Sequence, residues 1–413
     1  MSLGGSHRQS LRAHTGLGWV VCGLRPWVGQ FPRLRGTIPP MNRVALAVLC
    51  VLVVACHRNK KLAPAARPDP WQIELQALFA REPDSTPSRW KWLIHEYGPD
   101  TLKRWYVLER DKRLWIMDQF KNYSPLAEKN DTVFNAPVMP LPISGEVRFH
   151  LDSNGYAASV QVGDLVMPKR YEVPSPGIAQ LRITPVRPID ELRREALALT
   201  PPAETGSVQP THLVEITPLD STIRLEIRYA TENNFLGVKL YDTARAFMQK
   251  PAAEALVRAN KSLRRLGYGL LVHDAYRPWY VTKIFWDATP ADRQWMVANP
   301  TVGSRHNRGI AVDITLYDFE SKKPVEMPST YDESTVRAYS TYPGGTSLQR
   351  HYRLLLRRVL EHEGFAVNPL EWWHFDYIDR KHYAIGNVAF DAIPVTPRES
   401  AGGREPQRPL PPR

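Results

Sequence analysis

The stretch Ser304-Arg-His-Asn-Arg-Gly-Ile-Ala-Val-Asp-Ile-Thr-Leu316 carries the most information in the chain. Gly309 permits a turn, and the even-numbered positions from Ile310 to Leu316 are apolar, which predicts a strand. The other face of that strand presents Ala311, Asp313 and Thr315, so an acid stands in the middle of an otherwise apolar element. Burying a carboxylate costs several kcal/mol unless it is paired or bound to a metal. His306 precedes Asp313 across the turn and can fold back to the same point, and the small Ala311 leaves room for a ligand.

A second stretch, Glu371-Trp-Trp-His374-Phe375, supplies the missing donors. Two histidines and a carboxylate are a standard zinc set with a fourth position left for water. His306, Asp313 and His374 are therefore the expected ligands of one zinc ion per chain. The aromatic neighbours of His374 predict apolar surroundings and a neutral imidazole. Glu371 stands three residues before His374, and in a regular strand such residues face opposite ways. Both serve one site only if Glu371 lies on a bend entering the strand. Beside the metal without ligating it, Glu371 suits a general base that takes a proton from water and passes it to a leaving amine.

Around these stretches the pattern alternates between helix and strand. Ile223, Leu225, Ile227 and Tyr229 alternate with charged residues, as in a half-buried strand. Residues 251–266 open on Pro251, place Ala255, Leu256, Ala259, Leu263 and Leu266 at helical spacing, and stop at Gly267. A buried strand is expected over 268–273, and a second helix over 348–363 ends at Gly364. Without strict βαβ repetition, the expected class is α+β: a central antiparallel sheet with flanking helices over 213–392.

The rest of the chain divides by composition. Residues 71–183 open with Trp-rich helical pieces and continue in alternating segments around an Asp152-Ser-Asn-Gly155 turn, which predicts a small, mostly β domain. A Pro-rich linker follows over 184–212, with a short helix expected at 189–199, and a tail over 393–413 is expected to lack structure. Residues 41–55 have a short basic start and a twelve-residue apolar run, the length of a signal-peptide core rather than a membrane span. That run ends Val53-Val54-Ala55-Cys56, which resembles a bacterial lipobox. Acylated Cys56, a tether over 56–70 and the periplasmic face of a bacterial membrane are the expectation, with a soluble exported protein if Cys56 is not acylated. Residues 1–40, basic and without acids, read as an over-extended start.

Charge and cysteine usage bound the function. The 413 residues carry a net +12, but residues 1–61 hold nine basic groups and no acid, so only +3 falls on the rest. The basic excess belongs to the leader, and no nucleic-acid partner is expected. The three cysteines, Cys22, Cys50 and Cys56, all lie in that leader, so a metal in the body must use His and carboxylate.

With a third stretch, Asp274-Ala-Tyr-Arg277-Pro278, the motifs read DxYRP, SxHxxGxxxD and ExWH in order. This combination, with Ile227-Arg-Tyr-Ala-Thr-Glu-Asn-Asn234-Phe, resembles the D-alanyl-D-alanine dipeptidases of the VanX type, within the wider lysostaphin-like and D-Ala-D-Ala zinc peptidase superfamily. The resemblance runs over 213–392. It implies zinc at His306, Asp313 and His374, Glu371 as catalytic base and Arg277 stabilising the oxyanion. It also implies Ser304 on the substrate carboxylate, Asp332 on the substrate ammonium and Tyr229 in the pocket wall. The loop reads Met327-Pro-Ser-Thr-Tyr-Asp332, departing from the pattern where Gly is expected after Met. The implied activity is hydrolysis of the D-Ala-D-Ala dipeptide in peptidoglycan turnover. The rivals are a cell-wall carboxypeptidase or endopeptidase with an open cleft, and a binding lipoprotein without chemistry; the loop 318–343 would wall off one end of a dipeptidase pocket.

Overall fold

The computed structural model describes residues 69–100, 102–137, 143–171, 181–378 and 383–394. The leader with Cys56, most of the tether and the tail from residue 395 lie outside the described residues. Among the described residues no helix is long and apolar enough to cross a membrane.

The N-terminal β part holds two antiparallel sheets. Strands β1 (Glu96–Tyr97), β2 (Trp105–Arg110), β3 (Arg113–Met117) and β4 (Tyr123–Pro125) form the first. Strands β5 (Ala127–Glu128), β6 (Val133–Ala136), β7 (Gly145–Leu151), β8 (Ala157–Val162) and β9 (Leu165–Pro168) form the second. Neighbours in sequence are neighbours in each sheet, as short hairpin connections dictate. Their inward residues, among them Val107, Ile116, Phe134, Val147 and Val160, make with Trp90 a core separate from that of the remaining chain. Trp90 belongs to this core, whereas Trp92 is half-exposed and edges onto Tyr156.

Helix α1 (Pro70–Phe79) starts the described chain but does not join that core. Its Leu75 and Phe79 enter the core of the C-terminal part, and Trp71 stacks on His362 at 4.0 Å. Helix α2 (Ile189–Leu197), in the Pro-rich stretch, likewise buries Leu192 and Ala196 there. Apolar residues on both helices found their partners far along the chain, which local periodicity does not report.

The C-terminal part is built on a five-stranded sheet. Its strands are β11 (Arg224–Leu225), β13 (Tyr268–Asp274), β14 (Ala311–Asp318), β15 (Phe365–Asn368) and β16 (Glu371–Tyr377), in the order β11-β13-β14-β16-β15. All pairs are antiparallel except β11 with β13. A small second sheet pairs β10 (Leu213–Glu215) with β12 (Phe247–Gln249). The strand expected over Ile223–Tyr229 is cut short: only β11 pairs, and Arg228–Ala230 turn into a 3-10 helix. Ile223, Ile227 and Tyr229 are nevertheless buried, so the alternation reported burial correctly and pairing only in part.

Helices α3 (Lys250–Arg264), α4 (Trp279–Ala288) and α5 (Ser347–His362) cover the sheet. Helix α3 buries Ala252, Ala255, Leu256, Ala259 and Leu263, the i, i+3, i+4 face of an amphipathic helix. Helix α5 starts in a reciprocal capping box between Thr346 and Gln349 and buries Leu355, Leu356, Val359 and Leu360. Each such Leu contributes roughly 1.5–3 kcal/mol by leaving water. Strands β13 and β14 are buried along nearly their whole length, which makes each polar residue on them conspicuous.

Candidate metal and active site

Strand register assembles the site. Asp313 on β14 stands opposite His374 on β16 and Asp274 on β13, so three adjacent strands present polar groups in one row. His306 arrives from the 3-10 turn His306–Arg308, which closes on Gly309 at φ 70°. That left-handed conformation calls for glycine, and a Cβ there would also press on the Leu213 side chain at 2.6 Å. Asn307 locks the turn: its Nδ2 donates to the Arg277 carbonyl and to Thr282 Oγ1, each at 2.8 Å.

The donor atoms converge. His306 Nε2 lies 3.2 Å from His374 Nδ1 and 3.4 Å from Asp313 Oδ1, and His374 Nδ1 lies 3.0 Å from Asp313 Oδ1. The outer ring nitrogens are taken: His306 Nδ1 donates to the Ala275 carbonyl at 2.7 Å and His374 Nε2 to Asp376 at 3.2 Å. With those protons outside, two nitrogen lone pairs and a carboxylate oxygen face one point, an arrangement that is repulsive unless a cation sits there. The donor set therefore fits a divalent metal such as zinc.

His374 stands among three carboxylates, those of Asp313, Asp376 and Glu371. Burial lowers its pKa, but hydrogen bonds to Asp313 and Asp376 and the charge of Glu371 outweigh it and hold the pKa well above the ordinary value. Phe375 alternates to the other face of β16, whereas Trp373 lines the cleft with His374, so the ring has apolar as well as acidic neighbours. The pocket demands positive charge at or beside the ring.

Glu371 heads β16 where the pairing with β15 is irregular: Val367 faces Phe375, but Asn368 faces Glu371. The slip brings Glu371 Oε2 to 3.8 Å from His374 Nδ1, and Asn368 Nδ2 donates to the same oxygen at 3.1 Å. The bend that the spacing required is this bulge. Glu371 is 39% exposed at its side chain, open to the cleft, and packing around it raises its pKa while the charge on His374 opposes the rise.

All of this faces a cleft of about 590 Å³, within the usual range for small-ligand sites. Tyr229, Arg277, Ser304, His306, Asp313, Asp332, Glu371 and His374 all line it, which brings together every expected residue of the body. A family profile described as D-ala-D-ala dipeptidase matches residues 209–392. The chain is 33% identical over 175 residues to the D-alanyl-D-alanine dipeptidase of Escherichia coli strain K12, covering 42% of this chain and 89% of that one. It is likewise 33% identical to the enzyme of that name from Enterococcus faecalis (39% and 88% covered), and 30% identical to that of Streptomyces coelicolor (40% and 92%). The chain belongs to the D-Ala-D-Ala dipeptidase family. It is thus a metallopeptidase of this family with a further N-terminal part that the matched segment does not include.

Within this dipeptidase framework Arg277 is held from behind. Its Nε and Nη2 donate to Asp274 Oδ2 at 3.0 and 2.7 Å, leaving Nη1 for the cleft, and its guanidinium lies over the rings of Tyr229 and Phe285. Against the cost of burial, Asp274 keeps its pKa well above the ordinary value, so Arg277 stays cationic. Ser304 accepts from the His306 amide at 3.1 Å and so also caps the turn. Asp332 takes the left-handed conformation at φ 59° and accepts from Tyr229 at 2.9 Å. Burial and the nearby Asp313 push its pKa up to about 8. Asp332 does not cap the turn at 336–338, a role taken by Thr335.

Sequence reasoning missed the residues that hold the others. Tyr331 donates to Asp313 Oδ2 at 2.9 Å, and its hydroxyl lies 3.4 Å from that of Tyr229, which donates to Asp332, so the two hydroxyls stand side by side between the two carboxylates. Nothing local marked Tyr331. Asp376 was legible, since it stands two residues after His374 on a strand and hence on the same face.

Proposed function

We propose that the cleft hydrolyses the D-Ala-D-Ala dipeptide with zinc as its metal, an activity carried by the convergence of His306, Asp313, His374 and Glu371 on one cleft that also holds Asp332. Zinc held by His306, Asp313 and His374 would supply a Lewis acid that polarises the scissile carbonyl and acidifies water. Asp332 accepts the substrate's ammonium and Ser304 donates to its carboxylate, which fixes a zwitterion of one length between them. Glu371, with Oε2 anchored by Asn368, takes a proton from the attacking water on Oε1. The water oxygen bonds to the carbonyl carbon, and Arg277 donates to the carbonyl oxygen as negative charge gathers there. Glu371 then returns the proton to the amide nitrogen, the C–N bond breaks, and two D-alanines leave.

The loop 318–343, which carries Asp332, supports a closed pocket over an open carboxypeptidase cleft. Purified, zinc-loaded protein is expected to hydrolyse D-Ala-D-Ala, to leave L-Ala-L-Ala intact and to release no D-Ala from a stem pentapeptide. Equal release from the pentapeptide would overturn the dipeptidase reading. The lipobox-like run ending at Cys56 supports an exported, acylated protein acting in peptidoglycan turnover. Metabolic labelling with palmitate should mark the wild type and not C56S.

A further inference from the structure

The N-terminal β part lies outside the segment matched at 209–392, yet it grips the loop that carries Asp332. Glu109 on β2, only 2% exposed, accepts from the Ser347 amide at 2.8 Å and from the Ser347 hydroxyl at 3.2 Å. Its carboxylate thus meets the first turn of α5, where unpaired N–H groups favour a negative charge. The Glu109 amide donates to the Gly345 carbonyl at 3.1 Å, and Arg350 Nη2 donates to the Glu109 carbonyl at 2.6 Å. Beside them Tyr106, Leu108 and Met117 bury against Tyr342 in a small shared core. At the other end of the loop Lys91 pairs with Glu326 at 3.3 Å.

Between these moorings the loop is stiff. Arg337 donates from Nε and Nη2 to the Pro328 carbonyl at 3.1 and 2.8 Å. Glu333 accepts from the Thr330 amide at 3.1 Å and from Thr335 at 2.6 Å. A stapled loop moves as a body about its ends, so displacement at Gly345 and Ser347 is carried to Asp332. We propose that the β part is a positioning element for the Asp332 loop, acting through Glu109 at the start of α5, and that it sets how tightly the cleft holds the cationic end of its substrate. This rests on Asp332 as the ammonium acceptor.

The test is steady-state kinetics of the full, zinc-loaded chain on D-Ala-D-Ala for E109Q, R350K, D332N and the E109Q/D332N double variant. E109Q is expected to raise KM about tenfold with kcat within about twofold, the size of one lost charge-assisted hydrogen bond. R350K, which loosens the same junction from the other side, is expected to show the same split and serves if E109Q fails to fold. In the double variant KM should rise no further than in D332N alone, because both act on one contact. Unchanged KM in the junction variants, a loss confined to kcat, or additive effects in the double variant would overturn the proposal while leaving Asp332 its role. Unchanged KM in D332N would overturn the reading beneath it.

Discussion

Replacing Tyr331 by Phe removes one hydroxyl from the interior and leaves Asp313 Oδ2 without its 2.9 Å donor. Tyr331 is 5% exposed and Asp313 3%, so water does not replace the lost bond easily. The ring keeps its packing against His273 at 4.8 Å and Trp373 at 5.5 Å, and the change is confined to the hydroxyl. A hydrogen bond to a charged group contributes about 1.5–3 kcal/mol, which corresponds to roughly 10- to 150-fold in an equilibrium constant. Groups that orient a metal ligand typically change metal affinity by about 10- to 100-fold when removed. Zinc affinity of Y331F is therefore expected to fall by one to two orders of magnitude, measured by competition with a chromophoric chelator. At saturating zinc the rate should stay within a few-fold of wild type, since no reacting group is lost. Zinc binding within threefold of wild type, in a protein whose thermal unfolding is unchanged, would refute the claim that this hydroxyl orients Asp313.

Three further outcomes follow from the same geometry. E371Q should lower kcat by about 10²- to 10⁴-fold, the usual worth of a general base, while metal analysis still finds one zinc per chain; turnover near wild type would exclude Glu371 as base. R277K keeps the charge but loses the fork on Asp274, and kcat should fall about 10²- to 10³-fold, with KM changed far less if the contact is made mainly in the transition state. Glu96 is wholly buried, and burial pushes its pKa up to about 7 from an ordinary 4.5. Because the folded state holds this proton more tightly, its ionisation weakens the fold; the penalty is absent below the unfolded value and complete above about pH 7, reaching about 3 kcal/mol at 1.4 kcal/mol per unit. E96Q should therefore melt higher than wild type near pH 8 and alike near about pH 4, and equal melting at both would exclude an ionised Glu96 as a destabilising charge.

The residues gathered at the cleft were largely legible because each broke a local pattern. Asp313 is an acid in an apolar strand, Gly309 a turn that returns His306 to it, and Glu371 a carboxylate at a spacing that forced a bend. These are contrasts with immediate neighbours, and neighbours are what a sequence displays. The helices around them were legible for the same reason: periodicity and caps act within a turn or two. The meeting of His374 with Asp313 was not legible in this way, since it is made between two strands by their register.

What the sequence by itself determined was the inventory: two histidines and a carboxylate for a metal site, a second carboxylate beside it, an arginine, helices with one apolar face, and a β part with its own alternation. What only the tertiary structure decided was who holds whom. Tyr331 on Asp313, Asn307 on the Arg277 carbonyl and Glu109 at the head of α5 are pairings between residues far apart in the chain. The strand Ile223–Tyr229 stopped after two paired residues, and α1 left the β part for the other core, for the same reason. A side chain's periodicity is set by bonds along the chain, but its hydrogen-bond partner is set by strand register and by where distant elements pack, and neither is a local property.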